Sequence, residues 1–376
     1  MRSLMLIGSG WHPSLFRAEA RALVGPIETL HPRIAFVTQS ESILDRLSDA
    51  SLVDDVLHHT SRLWSYDQVL STGELAAHIA EWAEDFLPSG TFAVRSRRLG
   101  TGVDGISRRE VESESGTLIV SESRPVDLEG PENEIVVVLA GPDDPPSHWD
   151  ETNSGKMVVW GLRDKAASGA YIGTPPTDRP FFKPVTLDPR LARAMVSLTR
   201  SRGDPTTVVD PFCGTGGIAI EASMLGLDVL ASDLDPEMVQ GTLTNLQWSS
   251  GPGGFRVEEH SAESIHELWG EVSGCSFVFD PPYGRNAWTS DDGLEVLLGA
   301  LSSARQMSPD GSVCTMLPTS PEALEGPISD HLQVLGREWG EVRSVIRDTG
   351  WEVSMSTPVR VHRSLSRLVV LCHPAD

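Results

Sequence analysis

Residues 208–222 read VVDPFCGTGGIAIEA. Two valines and an acid, a glycine-bearing turn and a run of small apolar residues describe a strand, a tight loop and a helix. Gly214 and Gly216 lack a Cβ, so the backbone there can approach a ligand closely. A helix opening near Gly217 aims its unbonded N–H groups at that ligand. The loop follows the C-terminal end of a strand, which is where open α/β sheets take ligands.

The next apolar stretch, DVLASD (228–233), ends on a second acid, Asp233, followed by Leu234. A carboxylate at the end of the second strand, about 20 residues after the first, suits the two hydroxyls of a ribose. The bound group is therefore expected to carry a nucleoside. Gly214, Gly216 and Ala219 also satisfy a loose G-x-G-x-x-A dinucleotide pattern, so a nicotinamide enzyme stays an alternative. The acid of Asp210-Pro211-Phe212 stands where a pyrophosphate would lie. It suits the ammonium of a zwitterion better, which favours S-adenosylmethionine. The expected cofactor residues are Asp210, Phe212, Gly214, Gly216, Asp233 and Leu234.

Further on, CSFVFDPPYGRN (275–286) is an apolar run that stops at Asp280, Pro281, Pro282 and Tyr283. The prolines fix their own φ and restrict the residue before each of them. The Asp280 carboxylate and the Pro281 carbonyl are then held in one orientation, and Tyr283 offers a flat face for a base. That set suits an exocyclic amine on a planar ring. Its hydrogens go to the two oxygens, which draws the nitrogen lone pair toward an electrophilic methyl. A base in a duplex must be flipped to reach such a pocket.

From residue 185 strands and helices alternate, as in a doubly wound parallel sheet. DPRLARAMVSLTR (188–200) reads as a helix. TTVVD (206–210), DVLASD, VEEHSAES (257–264), CSFVFD and SVCTMLP (312–318) read as strands. WEVSM (351–355) and RLVVLC (367–372) form a closing antiparallel hairpin. Upstream, LMLIG (4–8), IAFVTQS (34–40), TFAVRSRRLG (91–100), NEIVVVLAG (133–141) and KMVVWGL (156–162) are strands. TGELAAHIAEWAEDFLPSG (72–90) is an amphipathic helix, and SRREVESESGTLIV (107–120) reads as a helix and then a strand. PDDPPSHWDETNSG (142–155) has linker composition, and GTPPTDRPFFKP (173–184) is a second proline-rich boundary.

The 376 residues suffice for about two or three domains, and with 39% hydrophobic and 22% charged residues the chain is ordinary for a globular protein. The longest apolar runs are strand-length, far short of a membrane span, and no targeting signal is evident. Cys213, Cys275, Cys314 and Cys372 lie far apart with no metal-ligand spacing, as buried thiols of a reducing compartment do. A cytoplasmic monomer without metal is expected.

The net charge is −23, and the lysines are only Lys156, Lys165 and Lys183. Such acidity argues against a general nucleic-acid binder and fits a saline cytoplasm. Arginine nevertheless clusters in three islands, at 95–109, 179–202 and 360–367. Together these make a local phosphate track.

DPFCGTGG, SDLD and DPPYG, in that order, resemble class I S-adenosylmethionine-dependent amino-methyltransferases of adenine N6 and guanine N2. DRPFFKPVTLDPRLARAMVSL (178–198) resembles the segment before the glycine loop in THUMP-containing tRNA methyltransferases, and RVHRSLSRLVVL (360–371) their closing hairpin. FAVRSRR, SRREV and VDLEGPENEIVVVL resemble a THUMP domain. The chain is most similar to the archaeal tRNA guanosine-10 N2-methyltransferases, over residues 90–376.

The resemblance implies an α/β chain. A ferredoxin-like domain spans 1–90, a THUMP RNA-binding domain 91–150, a linker 151–177 and a doubly wound Rossmann-like methyltransferase domain 178–376. It implies a tRNA substrate, one or two methyl groups on guanine N2, and catalysis by Asp280, Pro281, Pro282 and Tyr283. Phosphate contacts fall to Arg95, Arg97, Arg98, Arg108, Arg109, Arg360 and Arg363. FKP (182–184) covers the methionine end of the cofactor. Where the family shows Asp-Ala after the third strand, this chain has Ser261-Ala262, which shifts the adenine contact to Glu263 or to backbone. The alternatives are an rRNA or DNA amino-methyltransferase, a non-catalytic THUMP RNA-binding protein and the nicotinamide oxidoreductase.

Overall fold

A computed structural model describes residues 3–39, 41–64, 71–142, 156–169, 171–184, 186–282, 291–324, 326–362 and 365–375. The chain forms two compact units, 1–48 with 52–170, and 49–51 with 171–376.

The first unit runs β1 (Ser3–Gly8), α1 (Pro13–Val24), β2 (Glu28–His31), β3 (Ile34–Thr38), α2 (Glu41–Ser48), β4 (Val53–Trp64), α3 (Thr72–Phe86), β5 (Phe92–Leu99), α4 (Arg108–Ile119), β6 (Asn133–Ala140) and β7 (Met157–Arg163). Its seven strands make one sheet in the order β2-β3-β1-β4-β7-β6-β5. Pairing is antiparallel except for β5 and β6, which are parallel and joined through α4.

Alternation along β6 shows why the sheet is buried on both faces. Ile135, Val137 and Leu139 pack under Leu75, Ile79 and Trp82 of α3. Val136, Val138 and Ala140 face Met5, Ile7 and Leu57 on the other side. A strand with period-two apolar residues on both faces has no solvent side. Helix α3 begins at a capping box, in which Ser71 accepts from the Glu74 N–H and Glu74 accepts from the Ser71 N–H.

Three expectations change here. The segment 151–177 is not a linker throughout, because Met157–Arg163 is an inner strand bonded to β4 and β6. Strands on both sides of residue 90 share this one sheet, so no domain boundary separates 1–90 from 91–150. The apolar tail of 107–120 is helix, not strand. Val111, Ser115 and Ile119 recur at helical spacing on the buried face, and that burial outweighs the strand preference of the β-branched residues.

Asp55 is fully buried in this unit and bridges Arg97 and Arg163, with Arg163 Nε donating at 2.7 Å. Arg97 also donates to Asp54 at 2.9 Å. Removing Asp55 takes a buried acceptor from both arginines, while Arg97 keeps Asp54 and Arg163 keeps Glu134 at 3.0 Å. Asp55→Ala is therefore expected to destabilise the protein by about 1.5–3 kcal/mol, read as the free energy of urea unfolding.

The second unit contains α5 (Pro189–Leu198), β8 (Thr207–Asp210), α6 (Gly217–Met224), β9 (Asp228–Asp233), α7 (Pro236–Ser249), β10 (Phe255–Glu259), α8 (Ile265–Trp269), β11 (Cys275–Phe279), α9 (Asp291–Met307), β12 (Val313–Thr319), β13 (Gln333–Val334), β14 (Arg337–Glu338), α10 (Trp339–Asp348), β15 (Trp351–His362) and β16 (Leu365–Pro374). Strands β10-β9-β8-β11-β12 are parallel in that order. β16 then pairs antiparallel with β12 and with β15, the hairpin expected from the sequence. The expected strand at 257–264 is shorter and ends at Glu259. The sheet core gathers Phe277, Phe279, Leu297, Trp339, Trp351 and Val370.

Strand order reverses between β8 and β11. β8 leads to β9 on one side, while β11 lies on the other. A doubly wound sheet opens a crevice at that reversal, beyond the strand ends. The residues just past it are the glycine loop and Asp280. Among the described residues no helix is long and apolar enough to cross a membrane.

Candidate active site

The glycine loop is held by bonds that require its sequence. Gly214 and Gly216 have φ of 50° and 78°, in the left-handed region where a side chain is strained. A Cβ on Gly216 would also press against Thr242 at 3.0 Å. The Gly216 N–H donates to the Cys213 carbonyl at 2.7 Å, and Thr242 donates to the Gly214 carbonyl at 2.8 Å. Beyond the turn, α6 begins at Gly217 with its N-terminus on the loop.

Asp233 ties the loop to β9. One of its oxygens accepts from the Gly214 N–H at 2.9 Å and the other from the Asp235 N–H at 3.0 Å. Leu234 follows, 71% exposed. Asp210, at the end of β8, is buried and accepts from the Phe212 N–H at 3.2 Å. Burial, with Asp233 and Asp280 nearby, pushes its carboxyl well above the usual range. Phe212 itself packs on Phe279, ring centres 5.5 Å apart.

The segment before α5 wraps toward this loop. Buried Asn245 of α7 donates to the carbonyls of Thr215 and Phe181, and accepts from the Phe181 N–H. The Thr186 and Thr215 hydroxyls lie 3.0 Å apart. Phe182 is exposed and Lys183 pairs with Glu237 at 2.6 Å. Asn245 was not singled out in the sequence, although a fully buried amide in a helix always demands partners.

Asp280 stands just past β11, with Pro281 buried and Pro282 exposed. Its Oδ2 accepts from Arg367 Nη1 on β16 at 2.5 Å. The sequence reading placed Arg367 in a phosphate-binding island. The clue to its other use was a single arginine within the apolar run of β16, since such a charge needs a partner. Tyr283 and Arg363 lie outside the described residues.

Ser261 spends its hydroxyl on the Glu263 N–H at 3.3 Å, capping a short helical turn, and Ala262 is buried behind it. Glu263 is exposed, with its stem against Gly299 of α9. Of the expected phosphate contacts, Arg98, Arg108, Arg109 and Arg360 are exposed. Arg97 is committed to Asp54 and Asp55, and Arg95 to the Leu128 carbonyl and Glu134.

Two carboxylates, a left-handed glycine turn and a helix N-terminus meet at one sheet crevice, a set whose chemistry suits a zwitterionic nucleoside. A third carboxylate stands beside it on a proline-stiffened corner. Residues 176–343 match the RMKL-like methyltransferase domain family UPF0020. The tRNA (guanine(10)-N2)-dimethyltransferase of Pyrococcus abyssi is 31% identical over 70% of this chain and 73% of its own. The chain belongs to the tRNA (guanine(10)-N2)-dimethyltransferase family. A further member, from Methanothermobacter thermautotrophicus, is 30% identical over 78% of this chain and 76% of its own. The crystal structure of TrmN from Thermus thermophilus has the same fold, with a TM-score of 0.52 and 20% identity over all of both chains. This family member is thus a methyltransferase, and its doubly wound domain is the catalytic one.

Proposed function

We propose that the protein methylates the exocyclic N2 amine of a guanine in tRNA, at position 10, with S-adenosylmethionine as donor. The observation that carries this reading is the placement of Asp280 one strand from Asp210 and the glycine loop, at the reversal of strand order. The activity named for the two archaeal relatives supports the substrate.

The residues fit the donor. Asp233 takes the ribose hydroxyls, with Leu234 beside the adenine. Asp210 and the Gly214–Gly216 turn take the methionine end, and Phe182 and Lys183 cover it. When bound, S-adenosylmethionine supplies a methyl on a positively charged sulfur. Asp280 accepts a hydrogen from the guanine amine and the Pro281 carbonyl accepts the other, while Tyr283 stacks on the base. The prolines keep both acceptors fixed, so the nitrogen lone pair is presented without reorganisation. The extra proton of the methylated nitrogen leaves along its bond to Asp280 and on to water.

The first unit is the tRNA-binding part, with its THUMP portion in 91–150. Exposed Arg98, Arg108, Arg109 and Arg360 touch phosphates, which position the RNA without reading its sequence. Arg108→Glu with Arg109→Glu is expected to raise KM for tRNA about tenfold and to flatten its salt dependence by about two contacts. Donor affinity is unaffected. Steady-state assays over a KCl series check this.

Transfer of labelled methyl groups to unmodified tRNA, ribosomal RNA and duplex DNA tests the substrate. Label in tRNA alone is expected. Equal or greater label in DNA or ribosomal RNA sinks the proposal.

A further inference from the structure

The ion pair between β16 and the catalytic corner assigns a role to a residue outside the donor cradle. Arg367 lies opposite Pro318 of β12 and Val359 of β15, amid Leu368, Val369 and Val370, which are fully buried. Its side chain is 13% exposed and that of Asp280 16%. An arginine in this setting is costly to desolvate, and a buried ion pair adds little net stability compared with apolar residues of the same size. The sheet itself therefore gains little from a charge at 367.

Asp280 gains a great deal. Asp210, at the adjacent strand end, feels both Asp233 and Asp280. Like charges gathered in one crevice favour protonation of their members. A protonated Asp280 carries an O–H that donates, and so loses acceptor capacity toward an amine. A charge-assisted bond at 2.5 Å opposes this and restricts the carboxylate's rotation.

We propose that Arg367 is a positioning residue for methyl transfer, one that keeps Asp280 ionised and in a single orientation for the substrate amine. This rests on the function proposed above. The charged groups facing Asp280 among the described residues include Arg367 from β16 and Asp210 from β8, so the effect of removing Arg367 has a definite sign. Loss of the cation, with the neighbouring acids left in place, raises the pH at which Asp280 takes up a proton. Activity is lost as pH falls through that value, so the acid limb of the rate profile moves to higher pH.

The test compares wild type, Arg367→Met and Arg367→Lys on tRNA across pH 5 to 9, with donor binding by calorimetry and thermal unfolding of each. Arg367→Met is expected to lower kcat about 30-fold or more, to move the acid limb upward by about one pH unit, and to leave donor affinity within about threefold. Arg367→Lys is expected to recover at least a third of the wild-type kcat and the original acid limb, because it keeps the charge. An unchanged kcat and acid limb in Arg367→Met overturns the inference. So does a loss of activity that Lys does not relieve, or one matched by lost donor binding and lower unfolding temperature, since either marks a structural role. Wild type that leaves tRNA unmethylated in the same assay overturns the proposed function instead.

Discussion

Asp280→Ala and Asp280→Asn proteins will bind tRNA and donor with near wild-type affinity, and will transfer methyl groups about a thousandfold more slowly or not at all. In the proposed mechanism the carboxylate touches the reacting amine and not the donor cradle, so its loss falls on kcat. Asparagine keeps the shape but lacks the charge, and its amide presents N–H groups on one side. It also removes the charge that pairs with Arg367, which costs stability as well. Unfolding temperatures measured beside kcat separate the two effects. A variant that folds, binds both ligands and still methylates at more than a tenth of the wild-type rate would remove Asp280 from the mechanism.

The second large effect concerns the cradle. Asp233→Ala is expected to weaken donor binding by about 30- to 100-fold, as hydrogen bonds to a charged group are worth about 1.5–3 kcal/mol. The loss has two sources. In the proposed binding mode the ribose hydroxyls lose their acceptor, and the Gly214 N–H loses the bond that pins the glycine turn. Asp233→Asn keeps an acceptor oxygen and should fall between. Because the defect lies in binding, saturating donor should restore most of kcat. Isothermal calorimetry with the donor or its demethylated product reads the affinity directly, and unchanged affinity in Asp233→Ala would show that the nucleoside binds elsewhere.

The strand, glycine turn and helix of residues 208–222 were legible because each part answers a local constraint. A strand, a left-handed glycine turn and a helix start within fifteen residues leave little choice, and the structure repeats them at β8, Gly214, Gly216 and α6. The closing hairpin was legible for the same reason, as two apolar runs at the end of the chain. Non-local pairings were not. Met157–Arg163 reads as a strand, but it follows a proline-rich stretch and falls within the expected linker, yet β4 and β6 claim it from both sides. Arg97 looks like a phosphate contact in its own neighbourhood, but the acids that hold it are more than forty positions upstream. Arg367 meets Asp280 across 87 positions. No periodicity carries such a pairing, and only the mismatch of an arginine in an apolar strand hints at it. Ser261 shows the converse. It stands where the family shows an acid and departs from that pattern, and its hydroxyl is occupied by a helical cap that any short polar residue could make.

Mass spectrometry of nucleosides from unmodified tRNA incubated with the protein and S-adenosylmethionine tests the central claim most directly. The account predicts N2-methylguanosine, N2,N2-dimethylguanosine or both, absent when Asp280 is replaced by alanine. Methylated adenosine, or guanosine left unmodified while the donor is consumed, would contradict it.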